Sequence, residues 1–460
     1  MSKYNFDKSI FRSYDIRGTY GENINENVFH EIGLLFGSFL NENNFKNCIV
    51  GMDGRNSSKN LKNSFINGLI DCGIDVFDIG LVPTPLVYYG QKKLNFHSGA
   101  IITGSHNPKE DNGLKLLTKE GPFFDKMISD LIKINIKKTA KKGNVEKLNL
   151  TDDYIKNIFK DYKKVKRKLK IAWDPGNGAT CDVMHELQKN LPHDSYNIND
   201  KIDGNFPAHS PDPTKKENLV QLINLVMEKK CDFGIAFDGD GDRMSVVNSN
   251  GDLLSGDMLV SFFSKDILKN NKKLKIIHEI KSSSFVGEYI RGLGGEPVLC
   301  RTGHSWIKKK INEETISFAG EVSGHYFFND KYYGFDDGLY AVIRFINIME
   351  NTNSSVVEMF DFWPDIVSSG EIKIPVEDSK KFHLIKELQE ELRNKKKPFI
   401  DIDGIRVEME NGWYVIRASN TGPNIVCIAE ASNKIYYNEI IENLFNLLKS
   451  KNIQLPKIHF

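Results

Sequence analysis

The chain has 460 residues, more than one hydrophobic core usually serves, so about three domains of about 150 residues each are expected. Lys and Arg number 62 against 61 Asp and Glu, which excludes a global field that would recruit nucleic acid or anionic membrane, so any phosphate site must be local. The six cysteines, Cys48, Cys72, Cys181, Cys231, Cys300 and Cys427, form no CxxC pair; a zinc ribbon and a disulfide framework are excluded, and reduced, buried thiols are expected.

The opening stretch MSKYNFDKSIFRSYDIRG has no continuous apolar run, and no later run approaches the ~20 residues of a membrane span. A soluble, cytoplasmic protein is the expectation. Residues 48–52 read as a strand, Ser57 or Ser58 as an N-cap, 59–71 as a helix and 76–79 as the next strand. The rhythm recurs at 170–173 before the loop 174–180, at 233–237 before Asp238, and at 275–280 before a helical stretch ending at Gly292. Such alternation marks βαβ units and a mainly parallel sheet. Near 363–370 it changes to strand, helix, strand, strand, with strands at 371–376 and 407–409 flanking a helix at about 381–395, which predicts an α+β end. The lysine-rich segment 137–147, residues 248–252 and residues 363–370 mark boundaries, giving domains at 1–147, 148–252, 253–366 and 367–460. No motif repeats within the chain.

Two short segments carry the chemistry. TGSHNP, from Thr103 to Pro108, offers Ser105 in a glycine-flanked, proline-ended loop, with His106 and Asn107 as polar neighbours and Lys115 ten residues on. Alone, that composition makes an ordinary turn. DGDGDR, from Asp238 to Arg243, packs three carboxylates into five residues immediately after an apolar strand, where catalytic loops of open α/β sheets lie. A phosphorylated hydroxyl near those aspartates would be repelled unless a hard divalent cation stood between them, so each segment explains the other. An EF-hand starting at Asp238 fails, because its sixth and twelfth positions hold Arg243 and Ser249 rather than Gly and Glu. An acid-phosphatase-like DxD with Asp238 as nucleophile fits superficially but leaves TGSHNP without a role. GEVSGH, residues 320–325, sets Glu321, Ser323 and His325 at alternate positions that would share one face if extended, a grip for adjacent sugar hydroxyls. RASNTGPN, residues 417–424, supplies donors for a phosphate dianion.

TGSHNP, DGDGDR, GEVSGH and RASNTGP stand in the order and spacing of the α-D-phosphohexomutases, and nearly the whole chain resembles their bacterial phosphomannomutase/phosphoglucomutase type. The resemblance implies a heart-shaped protein of three related mixed α/β domains and a smaller α+β C-terminal domain around a central active-site cleft. It implies a phosphoserine at Ser105, with Asp238, Asp240 and Asp242 joining it around one Mg2+. Arg17, His106, Lys115, Arg243, His304 and His325 would serve the transfer, the proton carrier being Lys115, His304 or His325. Tyr14 and Lys281 would line the cleft, Glu321 and Ser323 would read the sugar, and Arg417, Ser419, Asn420 and Thr421 would hold the non-reacting phosphate. The implied reaction interconverts hexose 1- and 6-phosphates of mannose, glucose or both through a bound 1,6-bisphosphate, which also serves as activator; partners are sugar phosphates, and the chain acts as a monomer or dimer. Two alternatives stand beside it, a phosphoglucosamine mutase and a non-catalytic sugar-phosphate binder. The glucosamine branch commonly has SASHNP and GEQSGH, from which Thr103, Gly104 and Val322 depart, and Val322 also replaces the Met of dual-specificity members, so the choice of sugar stays open.

Overall fold

The computed structural model describes residues 6–163, 165–419, 422–451, 453 and 455. In the first sheet, Asn47–Met52 lies between Asp75–Leu81 and Ser98–Ile102, parallel to both, and Asp111–Thr118 returns antiparallel beside Ser98–Ile102. The second sheet repeats this with Lys170–Asp174, Asp194–Asn197, Phe233–Phe237 and Met244–Asn248. The third repeats it with Lys275–Glu279, Glu296–Cys300, Ile316–Gly320 and Tyr326–Phe328. Three parallel strands followed by one reversed strand is therefore a structural repeat that the residues do not advertise. Its inner strands are continuous apolar runs, as in Phe233–Phe237, where all five residues are buried, because helices or neighbouring units cover both faces.

Several elements differ in detail from expectation. Ser57 occupies the N-cap position of Ser58–Asp71 but makes no side-chain cap bond; its Oγ instead receives the Asn112 amide at 2.8 Å, which ties that helix to the strand Asp111–Thr118. The second sheet runs past the expected boundary at 252, since Leu253–Leu254 pairs with Met244–Asn248. The C-terminal helix is Asp378–Asn394. It packs with Lys434–Lys449 on antiparallel strands Ile405–Met409, Gly412–Ala418 and Asn424–Ala431, to which Val367–Ser368 and Ile372–Pro375 add.

One apolar core runs through all three α/β units, from Ile49 and Tyr89 through Trp173 and Ile235 to Phe263 and Phe345. Phe345, on the helix Gly338–Glu350, meets Phe233 of the second sheet edge to face at 5.0 Å. The C-terminal unit has a separate core around Leu388, Ile416, Cys427 and Leu444. It joins the third unit through Ile280, Trp413, Val415 and Ile428 and through Arg406, whose Nη1 donates to the Ile280 and Ser282 carbonyls at 2.6 Å. All six cysteines are buried and free, and among the described residues no helix is long and apolar enough to cross a membrane. Trp173 is wholly buried in the shared core, so Trp173→Ala should cost about 3–5 kcal/mol in urea unfolding; a loss below about 1 kcal/mol would show that the units do not share that core.

Candidate active site

The loop from Ser98–Ile102 to Asp111–Thr118 carries Ser105, whose φ of +48° lies in the left-handed region. A non-glycine residue there costs on the order of 1 kcal/mol or more and persists only when its surroundings impose it. Two sets of bonds do so. The Ser105 N–H donates to Thr103 Oγ1 at 2.8 Å, and the Arg55 guanidinium donates to the carbonyls of Ser105 and Asn107 at 2.7 Å and of Asp111 at 2.9 Å. Asp53 Oδ2 anchors Arg55 Nε at 3.2 Å and accepts the Gly104 N–H at 3.1 Å. Neither Asp53 nor Arg55 stood out in the sequence; the signal was an Asp-Gly-Arg directly beyond the strand Asn47–Met52.

Across the cleft lies the loop between Phe233–Phe237 and Met244–Asn248. Ser105 Oγ donates to Asp238 Oδ2 at 2.8 Å, and the backbones approach so closely that a Cβ on Gly239 would sit 2.6 Å from the Ser105 carbonyl oxygen. Asp238, Asp240 and Asp242 are wholly buried and bring carboxylate oxygens within 4.8 Å of one another, close enough to share a metal ion. Lys115 Nζ donates to Asp240 Oδ2 at 2.7 Å and Asp242 Oδ2 at 2.5 Å, and Thr84 Oγ1 donates to Asp240 Oδ2 at 2.5 Å. The other oxygens, Asp240 Oδ1 and Asp242 Oδ1, have no hydrogen-bond partner among the described residues.

The electrostatics follow from crowding. Burial, and then the charges of Asp240 and Asp242, push the Asp238 carboxyl well above the usual range. Burial also works against Asp240, but the Lys115 ammonium outweighs it and holds that carboxyl below its ordinary value. For Lys115 burial opposes the charge, yet Asp240 and Asp242 more than offset it, so the amine stays protonated well above its usual range. The Lys115 ammonium and the Arg243 guanidinium, 3.7 Å from Asp238 Oδ2, supply two positive charges for three carboxylates. Oxygen-only ligands, two of them orphaned, fit a hard divalent cation.

The third loop, between Ile316–Gly320 and Tyr326–Phe328, meets the second at Arg243 and His325, which form a β-bridge. Arg243 Nε donates to His325 Nε2 at 3.0 Å and stands 3.7 Å from Asp238 Oδ2. Glu321, Ser323 and His325 are not extended on one face, as expected above. Gly324 has a φ of +87° and its N–H donates to the Glu321 carbonyl at 3.0 Å, so the segment is a turn. Glu321 Oε1 accepts the Gly303 N–H at 2.7 Å, and burial with the nearby Glu279 charge pushes its carboxyl up to about 7; Ser323 is half-buried. His304 begins the helix His304–Glu313, its ring stacked on that of His325 with centroids 5.6 Å apart.

Tyr14 OH donates to the Thr302 carbonyl at 2.8 Å, while Thr302 N–H donates to Asp403 Oδ2 at 3.2 Å and Arg417 Nε donates to that same oxygen at 3.0 Å. First, third and fourth units are thus linked around one cleft. Lys281 Nζ pairs with Glu371 Oε1 at 2.9 Å. Arg17 Nη1 donates to the Gly104 carbonyl at 3.1 Å and Asn107 Oδ1 at 2.7 Å, and His106 Nδ1 lies 3.4 Å from Ser105 Oγ. Ser419 Oγ accepts the Gly422 N–H at 3.2 Å; Asn420 and Thr421 lie outside the described residues. Asp336 also escaped the sequence reading. It is wholly buried beside both histidines, and its signal was a pair of aspartates between glycines in GFDDG, residues 334–338.

Family models match the chain in four consecutive pieces: phosphoglucomutase/phosphomannomutase alpha/beta/alpha domain I at residues 8–143, domain II at 152–251, domain III at 255–366 and the C-terminal domain at 371–446. The chain belongs to this family. A phosphomannomutase/phosphoglucomutase of Pseudomonas syringae is 40% identical over 93% of this chain and 92% of its own. A phosphoglucomutase of Neisseria gonorrhoeae is 34% identical over 97% of this chain and 98% of its own. The crystal structure of a phosphoglucomutase/phosphomannomutase family protein from Burkholderia thailandensis superposes with a TM-score of 0.91 at 33% identity, covering 98% of this chain and 100% of that one.

The acidic cluster makes a thermal prediction. Mg2+ at a hundredfold excess over its Kd should stabilise the protein by about 2.7 kcal/mol, read as a rise in melting temperature that Asp240→Asn abolishes. An equal rise in the variant would move the cation elsewhere.

Proposed function

We propose that the chain is a magnesium-dependent phosphohexomutase that interconverts the 1- and 6-phosphates of mannose, glucose or both. The observation that carries this reading is the 2.8 Å contact between Ser105 Oγ and Asp238 Oδ2, which joins a hydroxyl of one unit to an acidic cage of another. Ser105 carries the phosphoryl group, gives it to the free hydroxyl of a hexose monophosphate, and takes back the other phosphate of the resulting 1,6-bisphosphate after that intermediate turns over within the cleft. Ser105, Asp238, Asp240 and Asp242 would hold the cation, and the positive charge it would supply there would offset the transferring phosphoryl oxygens and the aspartates.

The chain's own groups divide the remaining work. Lys115 stands beside Asp240 and Asp242 as a positive charge facing the transfer. Arg17 braces the serine loop through Gly104 and Asn107 with Nη1 and pairs with Asp15 through Nη2, which leaves Nε for the phosphoryl group. His106 shields Ser105 as a neutral ring, its pKa held well below the usual value by burial and by Arg243 and Arg17. Of the three candidate proton carriers, His325 takes the base role: Arg243 Nε always bears hydrogen, so the nitrogen that accepts it, Nε2, carries the lone pair. A hydroxyl that displaces Arg243 can lose its proton there. Glu321 and Ser323 hold sugar hydroxyls, while Tyr14, Lys281, Arg417, Ser419, Asn420 and Thr421 hold the non-reacting end. Since glucose and mannose differ at carbon 2 alone, a grip on other hydroxyls admits both. His304 works beside His325 as its stacked partner.

Incubation with glucose 1-phosphate or mannose 1-phosphate and a trace of the 1,6-bisphosphate should yield the 6-phosphate; no turnover of either sugar would overturn the proposal. Intact-mass measurement should find a phosphorylated fraction that Ser105→Ala lacks along with nearly all activity, and a phosphorylated Ser105→Ala protein would move the carrier elsewhere. Arg417→Ala should raise KM by about 10- to 100-fold, the worth of one charge-assisted phosphate contact of about 1.5–3 kcal/mol; an unchanged KM would remove Arg417 from the phosphate grip.

A further inference from the structure

Asp336 sits beside the two stacked histidines, with Asp242 of the acidic loop close by. Its Oδ1 accepts Lys308 Nζ at 2.9 Å, and its Oδ2 lies 3.1 Å from His325 Nδ1 and 3.4 Å from His304 Nδ1. Lys308 spends its three ammonium hydrogens on Asp336 Oδ1, Tyr88 OH at 3.0 Å and His304 Nδ1 at 2.9 Å. Donor counting then fixes both rings. Because Lys308 donates to His304 Nδ1, that nitrogen carries the lone pair and the ring hydrogen resides on Nε2. Because Arg243 donates to His325 Nε2, that ring carries its hydrogen on Nδ1, which lies 3.1 Å from Asp336 Oδ2 and 3.6 Å from Asp242 Oδ1.

We propose that Asp336 is a positioning residue that imposes opposite tautomers on the two stacked histidines, leaving His325 with an acceptor nitrogen and His304 with a donor nitrogen. One carboxylate does this by two routes, as the negative charge nearest His325 Nδ1 and through the Lys308 ammonium at His304. The arrangement suits a reaction that runs both ways on one substrate: the hydroxyl that receives the phosphoryl group loses a proton to one ring, and the departing oxygen can be met by a hydrogen from the other. The inference rests on the mutase reading for its catalytic meaning, but not for its statement about the tautomers.

A rival reading treats Asp242, His325 and Asp336 as a second metal site, since their ligand atoms lie within 4.8 Å of one another and Asp242 Oδ1, His325 Nδ1 and Asp336 Oδ2 all lack a hydrogen-bond partner by strict geometry. Metal on His325 Nδ1 would force the ring hydrogen onto Nε2, where it would point at the hydrogen of Arg243 Nε only 3.0 Å away. Two donors facing each other across that distance repel, so the proton-bearing Nδ1 is the favoured state while Asp336 keeps its charge.

Asp336→Asn tests the proposal. The amide oxygen will stay on Lys308, which needs an acceptor, and the NH2 group will then turn to His325 and drive its hydrogen to Nε2, against Arg243. Nitrogen-15 spectra of histidine-labelled protein, assigned with His325→Asn, should show His325 protonated at Nδ1 in the wild type and shifted toward Nε2 in the variant. Turnover should fall by about 10- to 100-fold with KM changed by less than about threefold, and adding Asp336→Asn to His325→Asn should lower kcat by less than about threefold more. Should the lone carboxamide fail to support folding beside the Lys308 charge, Asp336→Asn/Lys308→Met removes the charge pair together and should lose turnover in the same way. Unaltered His325 spectra, a kcat within twofold of wild type, or full additivity with His325→Asn would each overturn the proposal. A wild type that turns over no hexose phosphate refutes the mutase reading instead, and the spectra still decide the tautomers.

Discussion

Everything in this molecule answers to the cost of burying three carboxylates against a serine hydroxyl. In water, neighbouring aspartates repel each other weakly; in a wholly buried loop, the repulsion and the lost hydration each cost several kcal/mol per ion unless opposite charge is brought in. Lys115 reaches across from the first unit to meet Asp240 and Asp242, Arg243 stands by Asp238, and the oxygens left over still call for a cation. The strained backbone of Ser105 is tolerable only because Arg55 and Thr103 hold it from behind. The site is therefore made by contact between units, with each loop braced from within its own unit and joined to the other through Ser105 and Lys115.

That contact follows from the repeated topology. In each α/β unit the site segment is the turn between the third strand, which is parallel to the first, and the fourth, which runs back beside it: residues 103–110 in the first sheet, 238–243 in the second and 321–325 in the third. Three equivalent turns contribute three different sets of groups, a serine hydroxyl, an acidic cage, and a carboxylate with an imidazole. Duplicating one backbone plan and varying its turn supplies the convergence. The C-terminal unit is built otherwise. It has its own core and hangs on the third unit by the Arg406 and Trp413 joint, where the guanidinium lies 3.8 Å over the ring. Its Arg417 is consequently the part of the site least constrained by the shared core.

The sequence made the composition of the site legible because TGSHNP and DGDGDR each follow an apolar strand and, though either alone could be an ordinary turn, together call for a phosphoryl group and a cation. Strand positions were legible for the same reason, to within a residue or two at Phe233–Phe237 and Lys275–Glu279. What escaped was anything that depends on long-range packing. The repeat was hidden since only backbone order is shared, and alternate spacing in GEVSGH suggested an extended segment until Gly324 closed it into a turn. Arg55, Thr84 and Asp336 touch the site's residues from other elements and carry no local pattern that distinguishes them from an ordinary loop arginine, a helix-starting threonine or a helix-capping aspartate pair. Their roles become visible only when carbonyls and ring nitrogens are counted in three dimensions.

The central claim is that Ser105 and the acidic turn share one divalent ion. Anomalous scattering from crystals of the Mn2+-substituted protein tests it directly. The account predicts a single strong peak within about 2.5 Å of oxygens from Asp238, Asp240, Asp242 and the Ser105 side chain or its phosphate. A peak bound elsewhere, or one coordinated by the aspartates with Ser105 turned away, would contradict it.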